Sequence, residues 1–204
     1  MKIITHQDDL PNNLKFNKSI AIDTETMGLR TKRDRLCLVQ ISQGDSTSHL
    51  IKINNLKKNT PHNLKKLLLD KKIEKIFHFA RFDIATLSFY VGKIDGPIWC
   101  TKIASKLCRT YTDRHGLSDL CKELLSVDLS KQQQSSNWGS SKLTKEQKKY
   151  ASNDVIYLHL LKDKLIRLLE QEGRLKLAEE IFMFLKTRVK LDLEGFNDLD
   201  IFSH

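Results

Sequence analysis

At 204 residues, 40% of them hydrophobic, the chain is long enough for one ordinary domain with a buried core. Three prolines and eight glycines leave little room for linkers or disorder, and no stretch is long and apolar enough to span a bilayer. A formal net charge of +10 favours a polyanionic partner, nucleic acid ahead of a membrane surface.

The cysteines, Cys37, Cys100, Cys108 and Cys121, form no C-x-x-C pair and sit among apolar neighbours. They support neither a zinc site nor a disulfide framework, and they suit a reducing cytoplasm. The N-terminus turns polar too soon for a signal peptide.

In chain order, residues 2–5 read as a short edge strand and residues 7–14 as a short helix. Residues 19–24, 36–42 and 48–53 read as three strands, with Gln43-Gly44-Asp45 as the turn between the last two. Their connections are too short for crossovers, so they form an antiparallel meander. Residues 61–69 are an amphipathic helix and 75–79 a fourth strand, followed by a helix at 82–90. Residues 97–100 are a fifth strand, with helices at 101–109 and 115–125. Strand–helix alternation here adds parallel strands to the meander. Residues 128–141 are a polar loop. Thr144 and Gln147 form a capping box that opens one helix running to about Glu172, with Gly173 as its cap. A last helix covers 174–187, and the tail from 189 to 204 alternates apolar and acidic residues. The expectation is one α/β domain, a mixed sheet of about five strands flanked by helices.

Five side chains carry the chemistry. Asp23 and Glu25 are two apart at the end of the first long strand, so both point to one face. Like charges on one face repel unless a cation sits between them, and a hard divalent ion such as Mg²⁺ or Mn²⁺ takes oxygen ligands. A lone D-x-E also ends many strands in solvent, so the pair gains weight only from the rest of the chain. Asp83 opens the 82–90 helix among apolar neighbours, where the helix dipole alone would favour an anion. Tyr150 and Asp154 stand four apart on one helix face that also carries Ala151, Leu158, Leu161 and Leu165. Four converging carboxylates would hold two metal ions in the arrangement used for phosphodiester cleavage. Asp23 would bridge both ions, Glu25 and Asp154 would complete the site of the attacking water, and Asp83 would support the other ion. Tyr150 would hold that water in line by a hydrogen bond, its ordinary pKa near ~10 making it an orienter rather than a base.

Asp23-Thr24-Glu25, the Asp83 segment and Tyr150-x-x-x-Asp154, in this order and spacing, resemble the three motifs of the DEDD 3′–5′ exonucleases, tyrosine subclass. Within that group the chain is most similar to bacterial ribonuclease D, over about residues 15–170. Leu38-Val39-Gln40, His78, Thr101-Lys102-Ile103-Ala104, Lys131 before Asn137-Trp138, and Leu143-Thr144 add to the match. The resemblance implies a ribonuclease H-like sheet whose second strand is antiparallel. It implies a two-metal exonuclease that removes nucleotides from RNA 3′ ends and releases 5′-monophosphates. Single-stranded DNA is the alternative substrate, and a catalytically silent nucleic-acid-binding module the alternative reading. Thr26, Met27, Gly28 and Leu29 are then expected to meet the terminal nucleotide, with Met27 or Leu29 wedged against its base. Gln40, His78 and Lys131 are expected to contact the strand, and Trp138 to be a packing anchor. Basic residues in 30–35, 102–114 and 142–149 that flank the site should track phosphates.

Ribonuclease D continues into C-terminal helical domains. This sequence instead shows one or two further helices and an acidic tail, so residues 1–204 read as a single exonuclease domain with residues 174–204 packed on it. No membrane partner is expected, and monomer and homodimer are equally compatible with the sequence.

Overall fold

The structure, a computed structural model, describes every residue except Lys57 and Lys131. Among the described residues six strands form one sheet: β1 (Lys2–Gln7), β2 (Ser19–Thr26), β3 (Leu36–Ser42), β4 (Thr47–Lys52), β5 (Glu74–Phe77) and β6 (Ile98–Cys100). Their order is β1-β4-β3-β2-β5-β6. The β2–β3 and β3–β4 pairs are antiparallel and the other pairs parallel, so only β3 runs against the rest. This is the mixed sheet that the meander and the later alternation implied. The sixth strand arises because the N-terminal segment pairs along all of β4, from Lys2 opposite Thr47 to Gln7 opposite Lys52.

The helices are α1 (His62–Leu69), α2 (Ala80–Tyr90), α3 (Thr101–Cys108), α4 (Leu117–Leu125), α5 (Lys145–Ile156), α6 (Leu158–Gln171) and α7 (Leu175–Leu193). Among the described residues, no helix is long and apolar enough to cross a membrane. Every residue of β3 is buried, as a strand covered on both faces requires. The main core runs from Ile20 and Ile22 through Phe77, Trp99 and Leu161 to Phe182 and Val189. A smaller cluster of Cys37, Leu38, Leu50, Trp138 and Ala151 lies apart from it, with Tyr150 packed against its edge.

Three expectations are corrected. Residues 7–14 form no helix. Asp8 takes a left-handed backbone (φ 61°), which ends β1, and Pro11 removes a donor. The two aspartates bond to backbone elsewhere instead. Asp8 Oδ1 accepts from Asn54 N at 2.8 Å, and Asp9 accepts from Asn63 N at 2.8 Å and Leu64 N at 2.9 Å. Asp9 thereby caps α1, whose own N-cap position is Pro61 and makes no side-chain bond.

The helix from Thr144 breaks at Tyr157 (φ −91°, ψ −9°), although its capping box forms as expected. The break lets α5 lie on the strands while α6 packs against α3 and α4. The last helix runs six residues beyond Thr187, to Leu193. Buried Val189 and the Arg188–Asp192 pair at 2.7 Å sustain the added turns.

Asp9→Ala should cost about 1–2 kcal/mol of stability by uncapping α1. Urea unfolding of the variant and its parent measures the difference.

Candidate active site

β2 carries the first two carboxylates to the rim of the sheet. Asp23 lies opposite Gln40 and Glu25 opposite Leu38, and the register shifts between Glu25 and Thr26. Such a bulge re-aims the side chains around it. The capping box fixes the start of α5, which brings Tyr150 and Asp154 over the same rim. Asp23, Glu25 and Asp154 offer carboxylate oxygens within 4.8 Å of one another. Asp83, on the first turn of α2, is 2% exposed and accepts a hydrogen bond from Thr24 Oγ1 at 2.7 Å. It sits behind the other three, close enough that its charge acts on Asp23, Glu25 and Asp154.

The electrostatics follow from burial and crowding. Burial and then the charges of Asp83, Asp154 and Glu25 raise the Asp23 carboxyl well above the usual range. Burial with the charges of Asp154 and Asp83 lifts Glu25 to about 9, and burial with that of Asp83 lifts Asp154 to about 8. Burial lifts Asp83 to about 7 against the hydrogen bonds from Thr24. Every neighbouring charge that shifts Asp23 is another carboxylate. An all-oxygen donor set with no cation to balance it fits a hard divalent ion. Burial and the nearby carboxylates also push the Tyr150 phenol up, so it stays protonated and can donate.

A cavity of about 640 Å³ opens over the cluster. It is lined by Asp23, Glu25, Tyr150 and Asp154, by the 26–29 segment, and by Leu129, Ser130, residues 134–136 and Trp138. Thr26, Met27, Gly28, Leu29 and His78 all line its wall. Met27 and Leu29 are 50% and 85% exposed, free to meet a ligand. Gly28 also packs against a carboxylate of its own loop. A Cβ there would lie 2.4 Å from Asp34 Oδ2, and Asp34 ties the loop through Arg30 N and the Arg33 guanidinium. His78 bonds Thr101 Oγ1 at 2.8 Å, and burial with nearby Lys102 lowers it to about 3. It is therefore a neutral imidazole.

One expected contact differs. Gln40 is fully buried and does not reach the cavity; its Nε2 donates to Asp23 Oδ2 at 3.2 Å, so it steadies a carboxylate from below. Lys131 lies outside the described residues. Of the basic clusters, Lys102 reaches the cavity, where its ammonium stands 4.5 Å from the Phe79 ring centre. Arg109 is fully buried and ion-paired to Glu123, so it tracks no phosphate. Trp138 is a packing anchor, as expected, 2% exposed with its ring 6.0 Å from that of Tyr150. Phe79 and Ser118 also line the wall, and no motif in the sequence marked them.

Residues 1–170 match a protein family described as 3′–5′ exonuclease. The chain belongs to that 3′–5′ exonuclease family. Ribonuclease D of Bartonella henselae is 32% identical over 161 residues, which are 78% of this chain and 39% of the relative. The structure of Escherichia coli ribonuclease D superposes with a TM-score of 0.73 at 27% identity, over 89% of this chain and 48% of that one. This exonuclease chain thus spans about half the length of such relatives or less, and its sheet is the ribonuclease H-like one that the sequence implied. Brucella melitensis NrnC matches over the whole length: 53% identity and a TM-score of 0.93, over 100% of this chain and 98% of that one.

The raised carboxyl groups give a stability prediction. Each is easier to keep protonated folded than unfolded, so its contribution is full below the ordinary carboxylate range. That contribution is lost as pH rises through about 7 to 9. Glu25→Gln should therefore melt higher than the parent at alkaline pH without metal. Millimolar Mg²⁺ or Mn²⁺ should raise the parent's melting temperature, and more so as pH rises. Differential scanning fluorimetry across pH, with and without metal, tests both.

Proposed function

We propose that this chain is a metal-dependent 3′–5′ exoribonuclease that removes nucleotides from RNA 3′ ends and releases 5′-monophosphates. The observation that carries the reading is the convergence of Asp23, Glu25 and Asp154 within 4.8 Å at the floor of an open cavity, with Tyr150 on its wall. NrnC has been solved with bound Mg²⁺, which supports a divalent ion at Asp23, Glu25 and Asp154 here. When bound, two such ions stabilise the attacking and leaving oxygens of an in-line displacement.

In this reading Asp23, Glu25 and Asp154 would hold the ions. Asp83, oriented by the Thr24 hydroxyl, would add its charge to theirs. The protonated Tyr150 hydroxyl aims the attacking water at phosphorus. The water oxygen bonds to phosphorus, the 3′ oxygen of the preceding nucleotide leaves and takes a proton, and a nucleoside 5′-monophosphate is released. Met27 and Leu29 flank the last base, and Lys102 supplies a cation for phosphate. The free, buried cysteines support a reducing compartment, the cytoplasm.

A second reading concerns substrate length. NrnC has also been solved bound to pGG, and it matches this chain end to end. A cavity of about 640 Å³ suits a ligand of a few units rather than a long groove. A dinucleotide is therefore a candidate substrate alongside longer RNA.

RNA and DNA oligonucleotides labelled at the 5′ end, and pGG beside them, are to be digested with Mg²⁺, with Mn²⁺ and with chelator. RNA should shorten stepwise from its 3′ end only when metal is present. Faster turnover of pGG than of a longer strand would favour the second reading, and preferred cleavage of DNA would overturn the RNA assignment. Asp23→Ala and Asp154→Ala should each lower turnover by ~100-fold or more, as loss of essential catalytic groups does, while circular dichroism shows the fold retained. Undiminished digestion by either variant refutes the site.

A further inference from the structure

Lys52 ends β4 and is only 2% exposed. The charges acting on it come from Cys37 and Arg35, and burial lowers its pKa. A buried ammonium without a carboxylate partner is costly, so a lysine here needs a compensating contact. That contact is a backbone carbonyl: Lys52 Nζ donates to Trp138 O at 2.6 Å.

The bond belongs to a set. Gln147 Nε2 of α5 donates to Asn137 O at 3.3 Å, and Arg35 Nη2, just before β3, donates to Gly139 O at 3.0 Å. Three successive carbonyls are thus held by side chains from three parts of the sheet and its covering helix. Just upstream of these carbonyls, Leu129, Ser130, Gln134, Ser135 and Ser136 contribute to the cavity wall. Gly139 closes tightly on the loop after β2, since a Cβ there would lie 2.5 Å from Met27 Sδ. The held segment carries the Trp138 ring, tilted 40° against Tyr150 in the smaller core cluster. An apolar residue at position 52 would leave the Trp138 carbonyl unpaired in that dry cluster.

We propose that Lys52 is a positioning residue for Tyr150: it pins the Trp138 carbonyl, and the Trp138 ring in turn seats the tyrosine beside the acidic cluster. The inference rests on the reading of Tyr150 given under the proposed function. Lys52 touches neither substrate nor the reacting atoms. Its effect passes through one aromatic contact, so it should vanish when the Tyr150 hydroxyl is absent.

Lys52→Met keeps the length and apolar stem but removes the donor, and Lys52→Arg keeps a donor. kcat and KM are to be measured on a labelled RNA oligonucleotide at fixed Mg²⁺, in the parent and in a Tyr150→Phe background. Lys52→Met should lower kcat roughly 10- to 100-fold, the scale of a small misplacement at a reacting centre, with KM little changed. Lys52→Arg should recover part of the loss. In the Tyr150→Phe background, Lys52→Met should add less than about 2-fold, because coupled residues are not additive. With Trp99→Phe removing the other tryptophan, Trp138 emission should shift in Lys52→Met and return in Lys52→Arg, independently of catalysis. The Mg²⁺-induced rise in melting temperature should survive Lys52→Met. If Lys52→Met does not fold, Trp138→Leu replaces it, leaving the carbonyl bond in place and removing only the ring; the same Tyr150-dependent loss is expected.

An unchanged kcat in Lys52→Met overturns the proposal. So does an equal fold loss in both backgrounds while Tyr150→Phe is itself slow, and that result leaves the proposed function standing. A Tyr150→Phe variant as fast as the parent would sink both the role of Tyr150 and this inference.

Discussion

The repulsion among Asp23, Glu25, Asp83 and Asp154 is the constraint around which the rest of the molecule is arranged. Asp83 is buried and the other three are half-buried, and the charges of Asp83, Asp154 and Glu25 all raise the proton affinity of Asp23. Left alone, such a cluster would push its elements apart or take up protons. It is held by a rigid frame. β2 is flanked by β3 and β5 and has its first half in the main core. The Thr144–Gln147 box fixes the start of α5, and the Ser48 hydroxyl on β4 bonds Ser152 on α5 at 2.7 Å. Thr24 and Gln40 each donate to one carboxylate. Strain of this kind is relieved by a cation, so binding energy and function share one origin.

The basic composition has a second use beside attraction of polyanions. Many of the cations are directed at the chain's own carbonyls. Lys75 donates to Asp95 O at 2.7 Å, Lys186 to Gly96 O at 2.7 Å and Arg174 to Leu107 O at 2.7 Å. Arg81 and Arg188 share Asp192 and also bond backbone between Phe196 and Asn197, which fastens the end of α7 and the start of the tail to α2. A net charge of +10 therefore overstates what faces a ligand. Lys102 is the cation that reaches the cavity wall among the described residues, and it does so beside an aromatic ring.

The relatives separate fold from substrate. Ribonuclease D shares the sheet, yet the matched region is less than half of its length. NrnC aligns with this chain over nearly its whole length. One scaffold thus serves proteins of different extent, and in this chain the acidic cluster is surrounded by the 26–29 loop, Trp138 and the start of α4.

Much of this was legible in the linear order of residues. Strand alternation put Asp23 and Glu25 on one face, and the helical repeat put Tyr150 with Asp154, because both periodicities are properties of the backbone alone. The capping box was legible for the same reason: its bonds join residues three apart. Contacts that close over long separations were not. Asp9 caps a helix more than fifty residues away, so its segment looked helical while its carboxylate was committed elsewhere. Gln40 resembled a substrate contact, and only the pairing of β3 with β2 placed it beneath Asp23. Nothing in the residues around Lys52 marks it for burial; the sheet and the loop before α5 place it under the Trp138 carbonyl. Local spacing determined which groups are available; the packing of distant segments decided which of them meet, because that depends on where the chain returns and not on what lies beside each residue.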